Sequence, residues 1–287
     1  MAVVLPFQIH GCGSTTAAPT AIIRYVCLNK MIEFDHVTRS YSHKVAVDDL
    51  SLTVPPGEIF ALLGSNGAGK TTTIKLLTGL LRPDSGAIRI CGHELTTDLR
   101  QALRYLGYVP DEPFLYDKLS GREFLEFTAQ MRGLDRRAVE ACIAQQTRHF
   151  EMSEYIDDLT ETYSHGMKQR LVFASALLHQ PPIVVIDEPM VGLDPRSMRM
   201  VKDLLGEQSA AGTIVFMSTH ILAVAEEIAD RIGILDHGRL RFLGSVAQLQ
   251  EELASPQISL ESLFLQFTGE GNGKPPPTTS SQSESVE

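Results

Sequence analysis

The sequence predicts an α/β fold with a mostly parallel sheet, and three observations support this prediction. A glycine-rich segment at 64–71 connects an apolar run to a stretch with helical spacing. Short apolar runs alternate with helical stretches along much of the chain. Ile183–Ile186 is flanked by proline and acid, as is typical of a strand buried on both faces. Strands separated by helices indicate crossover connections, which make neighbouring strands parallel.

The first third of the chain is predicted to begin with strands. In residues 31–63, short apolar runs are separated by turn residues, which favours strands. Thr71–Leu81 has apolar residues at helical spacing and stops before a proline, so we expect a helix there. Residues 87–91 and 105–109 are predicted as two further short strands.

The rest of the chain alternates between helix and strand. The pattern is helical and charged from about residue 119 to 162. Helix resumes at Met167–Leu178 and stops at a pair of prolines. Thr213–Met217 and Arg231–Leu235 are apolar runs similar to Ile183–Ile186, and we expect buried strands at both.

The two ends of the chain lack the pattern of a folded domain. The N-terminal apolar stretch is short and broken by Pro6 and Gln8, so residues 1–30 are expected to be a disordered extension or a wrongly assigned start. A segment that touches the membrane is the alternative. Residues 268–287 contain one aliphatic side chain and are expected to be disordered. Residues 31–267 remain as the predicted domain.

Composition argues against several classes of protein. The formal net charge of −10 makes the chain a poor candidate for binding nucleic acid through bulk charge. No apolar run approaches the roughly 18 residues that a membrane-spanning helix needs. The four cysteines include no CxxC pair, which argues against a zinc or redox site.

The segment GSNGAGKT matches the phosphate-binding pattern GxxxxGK[ST], in the strand–loop–helix context that this motif requires. Its glycines allow several backbone N–H groups to face one anion, and the helix N-terminus adds partial positive charge. We expect Lys70 to bind the β- and γ-phosphates of a nucleoside triphosphate and the Thr71 hydroxyl to ligate Mg²⁺. The predicted binding residues of this loop are Gly64, Ser65, Asn66, Gly67, Ala68, Gly69, Lys70 and Thr71.

Two acidic residues and a histidine follow predicted strands. The carboxyl ends of parallel strands meet at one edge of a sheet, so Asp187 is expected to lie near the phosphate loop and to hold Mg²⁺ through water. Glu188 is expected to polarise the attacking water. His220 follows the apolar run 214–219 and is expected to reach the γ-phosphate.

Together these motifs resemble the ATP-binding subunit of an ABC transporter, over roughly residues 31–267. They occur in the family's order: the phosphate loop, TYSHGMKQR at 162–170, VVIDEP at 184–189, GLDP at 192–195 and STH at 218–220. The resemblance implies a P-loop NTPase core with a mostly parallel sheet and an N-terminal antiparallel β subdomain. It also implies an α-helical subdomain inserted at 112–163, which docks a membrane partner.

The resemblance also implies roles for individual residues. TYSHGMKQR is similar to the family's signature motif, usually LSGGQ, so Ser164 and Gly166 are expected to contact the γ-phosphate of ATP held by a second, head-to-tail subunit. Three further residues occupy positions that have known contacts in the family. The resemblance implies that Tyr41 stacks on adenine, that Thr72 contacts the α-phosphate and that Asp194 contacts the opposite subunit.

The chain departs from the family pattern at two places. Asp111 stands in LGYVPDEPFLY where the family usually has Gln; Asp can also ligate Mg²⁺, but it is shorter and charged. In the signature motif, His165 replaces the first Gly and Met167 the usual Gln. The YSxGMKQR form, together with MSTHILAVAE and SLESLFLQFTG, resembles subunits of ABC-2-type exporters and of Ecs-type transporters.

We therefore expect an ATP hydrolase that uses ATP and Mg²⁺ and closes as a homodimer or heterodimer over two nucleotides. It would drive separate transmembrane permease subunits, for export, from the cytoplasmic face of the membrane, and it would bind no nucleic acid. A soluble ABC-type ATPase acting on DNA or ribosomes is the first alternative, disfavoured by the single ATPase domain and the negative charge. A non-hydrolysing regulatory subunit is the second, disfavoured because Lys70, Glu188 and His220 are all present.

Overall fold

The computed structural model describes residues 31–252, which form two β-sheets surrounded by helices. The expectations for residues 1–30, for 253–267 and for the tail at 268–287 lie outside the described residues. The elements in chain order are β1 (Ile32–Tyr41), β2 (Lys44–Val54), β3 (Ile59–Leu63), α1 (Lys70–Leu77), β4 (Ser85–Ile90), β5 (His93–Glu94), α2 (Leu99–Ala102), β6 (Leu106–Val109), α3 (Gly121–Met131), α4 (Arg136–His149), α5 (His165–Leu177), β7 (Ile183–Asp187), α6 (Pro195–Ala210), β8 (Ile214–Thr219), α7 (Leu222–Ile228), β9 (Arg231–Asp236), β10 (Arg239–Gly244) and α8 (Val246–Glu252).

The larger sheet has six strands in the order β10-β9-β3-β8-β7-β6. Five of them are parallel, and β10 runs antiparallel to β9 at one edge. The smaller sheet has the order β2-β1-β4-β5 and is antiparallel throughout. This arrangement confirms the predicted α/β fold with a mostly parallel sheet and an N-terminal antiparallel sheet.

The six-stranded sheet separates two hydrophobic cores, because successive side chains of a strand point to opposite faces. From β3, Phe60 and Leu62 pack into the core shared with the antiparallel sheet and α1. Ile59, Ala61 and Leu63 pack into the other core, with side chains from α3 to α7. All five residues of β3 are buried, which explains why the strand is a continuous apolar run.

Some element boundaries differ from the predictions. The helix predicted to reach Leu81 ends at Leu77, because Gly79 adopts a φ of +70° that an α-helix does not accept. The helical pattern at 119–162 forms α3 and α4, and α3 begins with a capping box made by Ser120 and Glu123. Helix α6 was not among the predicted elements, although Pro195 at its first turn is a start signal.

Within the described residues, no helix combines the length and the apolar character needed to cross a membrane.

Candidate active site

Adjacent parallel strands bring the predicted site residues to one edge of the six-stranded sheet. Strand β3 leads into the phosphate loop, β8 lies beside it and ends just before His220, and β7 lies next to β8 and ends at Asp187. The three strands are far apart in the chain but are consecutive neighbours in the sheet. The crossover connections therefore place the three motifs side by side.

The phosphate loop has the backbone geometry of an anion site. Gly69 has a φ of +114°, and a Cβ there would lie 2.2 Å from the Ala46 carbonyl oxygen, so only glycine fits. Gly67 has a φ of +84°, and a Cβ there would lie in ordinary contact with the Lys44 Nζ, at 3.8 Å. Among residues 31–252, no side chain caps the N-terminus of helix α1, which leaves first-turn N–H groups available for an anion.

The Lys70 side chain is held over the loop. It is 6% exposed, and its Nζ donates hydrogen bonds to the carbonyl oxygens of Gly64, at 2.8 Å, and Ser65, at 3.4 Å. The Nζ also lies 3.7 Å from the Glu188 Oε1. The ammonium is thus fixed by neighbouring acceptors beside the helix N-terminus. Next to it, the Thr71 side chain is exposed and that of Thr72 is half-buried.

Glu188 is positioned between a cation and a histidine. One oxygen faces Lys70, and the other lies 2.9 Å from the His220 Nδ1 and accepts a 3.3 Å hydrogen bond from the His220 N–H. Glu188 has a φ of +49°, a conformation that costs about 1–3 kcal/mol for a residue other than glycine. Its N–H donates to the carbonyl oxygen of Ser218 at 3.2 Å, which secures this backbone conformation. The carboxylate therefore contacts Lys70 of the phosphate loop with one oxygen and His220 with the other.

Asp187 is almost completely buried beside this pair. It is 2% exposed, and its Oδ1 accepts a hydrogen bond from the Ser218 hydroxyl. Burial raises the pKa of Asp187, and the negative charges of Asp111 and Glu188 raise it further. Burial also raises the pKa of Asp111, and the negative charge of Glu188 raises it further. Asp111 and Glu188 thus both repel the charge of Asp187, and Lys70 offsets this repulsion only in part.

A divalent cation would relieve this repulsion, and the donor set is compatible with Mg²⁺. Within the described part of the chain, no group of three or more His, Cys, Asp or Glu side chains is arranged to hold a metal ion by itself. Mg²⁺ is commonly bound by one or two carboxylates together with substrate phosphates. The arrangement therefore fits an ion held jointly by protein oxygens and a nucleotide. Asp187, Asp111 and Thr71 remain the predicted protein ligands.

Asp187→Asn is expected to raise the thermal stability of the nucleotide-free protein at about pH 7.5. Because folding raises the pKa of Asp187, the folded state holds the carboxyl proton more tightly than the unfolded state does. The free energy of unfolding therefore falls as the pH rises from the unfolded-state pKa through the folded-state pKa. Asparagine removes the buried charge and keeps an acceptor for Ser218. Thermal unfolding followed by circular dichroism should show a higher Tm, with the difference vanishing toward about pH 4.

Asp194→Asn provides a control for which the expected change in Tm at neutral pH has the opposite sign. Hydrogen bonds from Ser197 lower the pKa of Asp194, so its contribution is present at neutral pH and is lost as the pH falls. We expect this variant to have a lower Tm than the wild-type protein at neutral pH. A Tm of Asp187→Asn at or below the wild-type value there would show that the buried charge is not destabilising.

The remaining predicted residues lie outside this cluster. Tyr41 is 43% exposed at the end of β1, and the Arg39 Cζ lies 5.3 Å from its ring centroid. Ser164 is exposed and caps α5, its hydroxyl accepting from the Met167 N–H at 3.3 Å, and Gly166 lies in the first turn of α5. Asp194 caps α6 and is also bound by the Ser197 hydroxyl.

Ser218 has a structural role that its motif STH did not predict. Ser218 binds both Asp187 and Glu188, and so holds the acidic pair in place. The His165 ring packs on Gly192 of the GLDP loop. A Cβ on Gly192 would lie 3.0 Å from the His165 Nε2, so a larger residue there would press on the ring. The contact joins the start of α5 to the segment that precedes α6.

Comparisons with known proteins agree with this fold and motif order. A sequence model of the family described as "ABC transporter" matches residues 47–191. The chain is 33% identical over 243 residues to the ABC-type transporter ATP-binding protein EcsA of Bacillus subtilis (strain 168), covering 85% of this chain and 98% of that protein. It is 36% identical over 231 residues to the daunorubicin/doxorubicin resistance ATP-binding protein DrrA of Streptomyces peucetius, covering 80% of this chain and 70% of DrrA.

A solved structure described as the ATP-binding subunit of an ABC transporter superposes on the chain with a TM-score of 0.79. The two share 34% sequence identity, and the match covers 83% of this chain and 99% of that one. The matching family, the long alignments and the shared fold agree with the presence of the phosphate loop after β3 and of the acidic pair at the end of β7. The chain therefore belongs to the ABC transporter family, as an ATP-binding subunit of the ATP-hydrolysing kind.

Proposed function

We propose that this subunit binds Mg-ATP at the edge of the six-stranded sheet, closes as a dimer over two nucleotides and drives separate membrane subunits for export. The observation that carries the proposal is the cluster of Lys70, Glu188 and His220, in which one carboxylate touches both a buried ammonium and an imidazole. The resemblance to a drug-resistance ATP-binding protein supports the direction of transport.

The proposed mechanism assigns one task to each group in the cluster. Lys70 exchanges its contacts with Gly64 and Ser65 for phosphate oxygens and neutralises charge at the β- and γ-phosphates. Glu188 accepts a proton from the attacking water, and His220 keeps the carboxylate oriented while contacting the γ-phosphate. Thr71, Asp111 and Asp187 would hold Mg²⁺, Asp187 through water, and the ion would supply positive charge beside the phosphates.

Closure of a dimer is supported by groups that face solvent. Ser164 is exposed, and the N-terminus of α5 behind it offers N–H groups to an anion. Within the described residues, the side-chain hydrogen bond of Ser164 stays inside its own helix start. We propose that Ser164 and Gly166 bind the γ-phosphate of the partner subunit's ATP, and that Asp194 contacts the partner. Tyr41 and Thr72 would bind the adenine and the α-phosphate within the same subunit.

Docking to a permease is supported by an exposed aromatic cluster in the segment 112–163. Phe114 is 75% exposed, Tyr116 47% and Phe127 41%, and the ring of Tyr116 makes edge contacts with both phenylalanines. Exposed aromatic groups of this kind are typical of interaction sites. We propose that a cytoplasmic segment of the permease covers this cluster, which would place the subunit at the cytoplasmic face of the membrane.

Phe127→Glu tests this docking proposal. We expect the purified variant to hydrolyse ATP normally. Much less of it than of the wild-type subunit should sediment with membrane vesicles from cells that natively express this protein. The physical reason is that a carboxylate would have to be buried without a partner at the interface. Sedimentation of membrane vesicles, with quantification of the bound subunit, measures the effect.

Leu243→Glu is the matched control, because Leu243 is also 41% exposed but lies on β10, outside the aromatic cluster. We expect its membrane recovery to equal that of the wild type. Equal losses for both variants would mean that added negative charge weakens membrane association in general. Full recovery of Phe127→Glu would refute docking at the aromatic cluster.

A further inference from the structure

Lys44 lies over the phosphate loop, on the opposite strand of the hairpin that carries Tyr41. A Cβ on Gly67 would lie 3.8 Å from the Lys44 Nζ, and among residues 31–252, apart from the chain neighbours of Gly67, no other atom would lie within 4 Å of it. Tyr41 and Lys44 are directly paired across the antiparallel β1–β2 hairpin, so their side chains share one face of the sheet. Lys44 is therefore placed between the proposed adenine contact and the middle of the phosphate loop.

The backbone holds this strand against the loop. The carbonyl oxygen of Ala46, two residues from Lys44, lies 2.2 Å from where a Cβ of Gly69 would be. The turn after β9 closes the other side, because the Gly238 N–H donates to the Ala68 carbonyl oxygen at 2.8 Å and the Gly238 carbonyl oxygen accepts from the Asp48 N–H at 2.8 Å. Close packing of β2 on the loop thus holds the backbone of Lys44 near the loop.

The Lys44 ammonium has no carboxylate to neutralise it among residues 31–252. The ion pairs in that part of the chain all join residues other than Lys44. On either side of the hairpin, Arg39 pairs with Asp84 and Arg239 pairs with Asp48. Lys44 is exposed, and Lys70 is already buried on the Glu188 side of the loop. An unpaired cation next to a loop of anion-binding geometry is complementary to a polyphosphate.

We infer that Lys44 is a further nucleotide-binding residue, whose ammonium contacts the phosphate chain of ATP from the hairpin side of the loop while Lys70 contacts it from the other side. The inference rests on the proposed ATP site and adds to it a second cation. It predicts that part of the affinity for ATP is electrostatic and depends on the β1–β2 hairpin.

Lys44→Met tests this inference, because methionine keeps an unbranched apolar side chain and removes the charge. We expect the Kd for ATP, measured by calorimetry at low salt, to rise about tenfold, since a charge-assisted contact is lost. The difference from the wild type should shrink as salt is added, because salt screens an exposed charge. Lys44→Arg is expected to recover most of the affinity.

Lys75→Met is the matched control, because Lys75 is exposed in the last turn of α1 and its loss changes the net charge equally. We expect its Kd to stay within about twofold of the wild-type value. A Lys44→Met Kd within that same range, or an equal rise for both variants, would overturn the inference. If the wild-type protein itself failed to bind ATP, the proposed site would be refuted instead, so the two failures are distinguishable.

Discussion

Glu188→Gln protein is expected to bind ATP but to hydrolyse it about 10²–10⁴-fold more slowly than the wild-type protein, the usual contribution of a general base. Glutamine has nearly the same shape and can still accept a hydrogen bond from the His220 N–H, so the fold and the loop should be preserved. It cannot accept a proton from water at neutral pH. Phosphate release under saturating Mg-ATP measures the loss.

The same variant should accumulate as an ATP-bound dimer. In the proposed cycle ATP binds the closed dimer better than the open subunits, and hydrolysis removes that preference. When hydrolysis is blocked, the closed state should persist. Light scattering should therefore show a monomer without nucleotide and a doubled mass with Mg-ATP. A monomer in both conditions would contradict closure of two copies of this chain and would favour a heterodimer.

Glu226→Gln is a suitable control for this prediction. Glu226 is exposed on α7 and lies outside the Lys70–Glu188–His220 cluster, and its exchange causes the same change in net charge. Its hydrolysis rate should match that of the wild type. A hydrolysis rate of Glu188→Gln within a few-fold of wild type would mean that another group activates the water, and Asp111 would then be the next carboxylate to test.

Ser164→Arg is expected to abolish ATP hydrolysis while the monomer still binds ATP. The side chain caps α5 at an exposed position, so a long cation there would obstruct the surface that is proposed to close over the partner's γ-phosphate. Losing the cap should lower the stability by about 1 kcal/mol, which leaves the protein folded. ATP affinity by calorimetry and phosphate release by a coupled assay separate the two effects.

Mixing Ser164→Arg with Lys70→Met protein distinguishes capping of a partner's nucleotide from capping within one chain. In a head-to-tail dimer of the two variants, one site carries both defects and the other carries neither. Random pairing should then restore about a quarter of the wild-type sites, although each variant alone is inactive. If each chain capped its own nucleotide, both sites would carry one defect and mixing would restore nothing.

The sequence alone identified the family and predicted the motifs that form the candidate site, because those features are local. The phosphate loop, the acidic pair at the end of β7 and the histidine after β8 are short motifs whose chemistry depends on residue types at fixed spacing. The alternation of buried strands and helices likewise predicted the parallel sheet. Helix α6 was missed although Asp194 and Pro195 are start signals, because GLDP was interpreted as an interface loop.

Only the tertiary structure decided how these motifs meet. Strand β8 lies between β3 and β7, and this order puts Ser218 within hydrogen-bonding distance of both acidic residues and brings Glu188 to Lys70. The positive φ of Glu188 and the packing of His165 on Gly192 are equally invisible in the sequence. So is the placement of Lys44 over Gly67. These contacts join residues that are distant in the chain, and their geometry depends on sheet order and strand register, which local motifs do not specify.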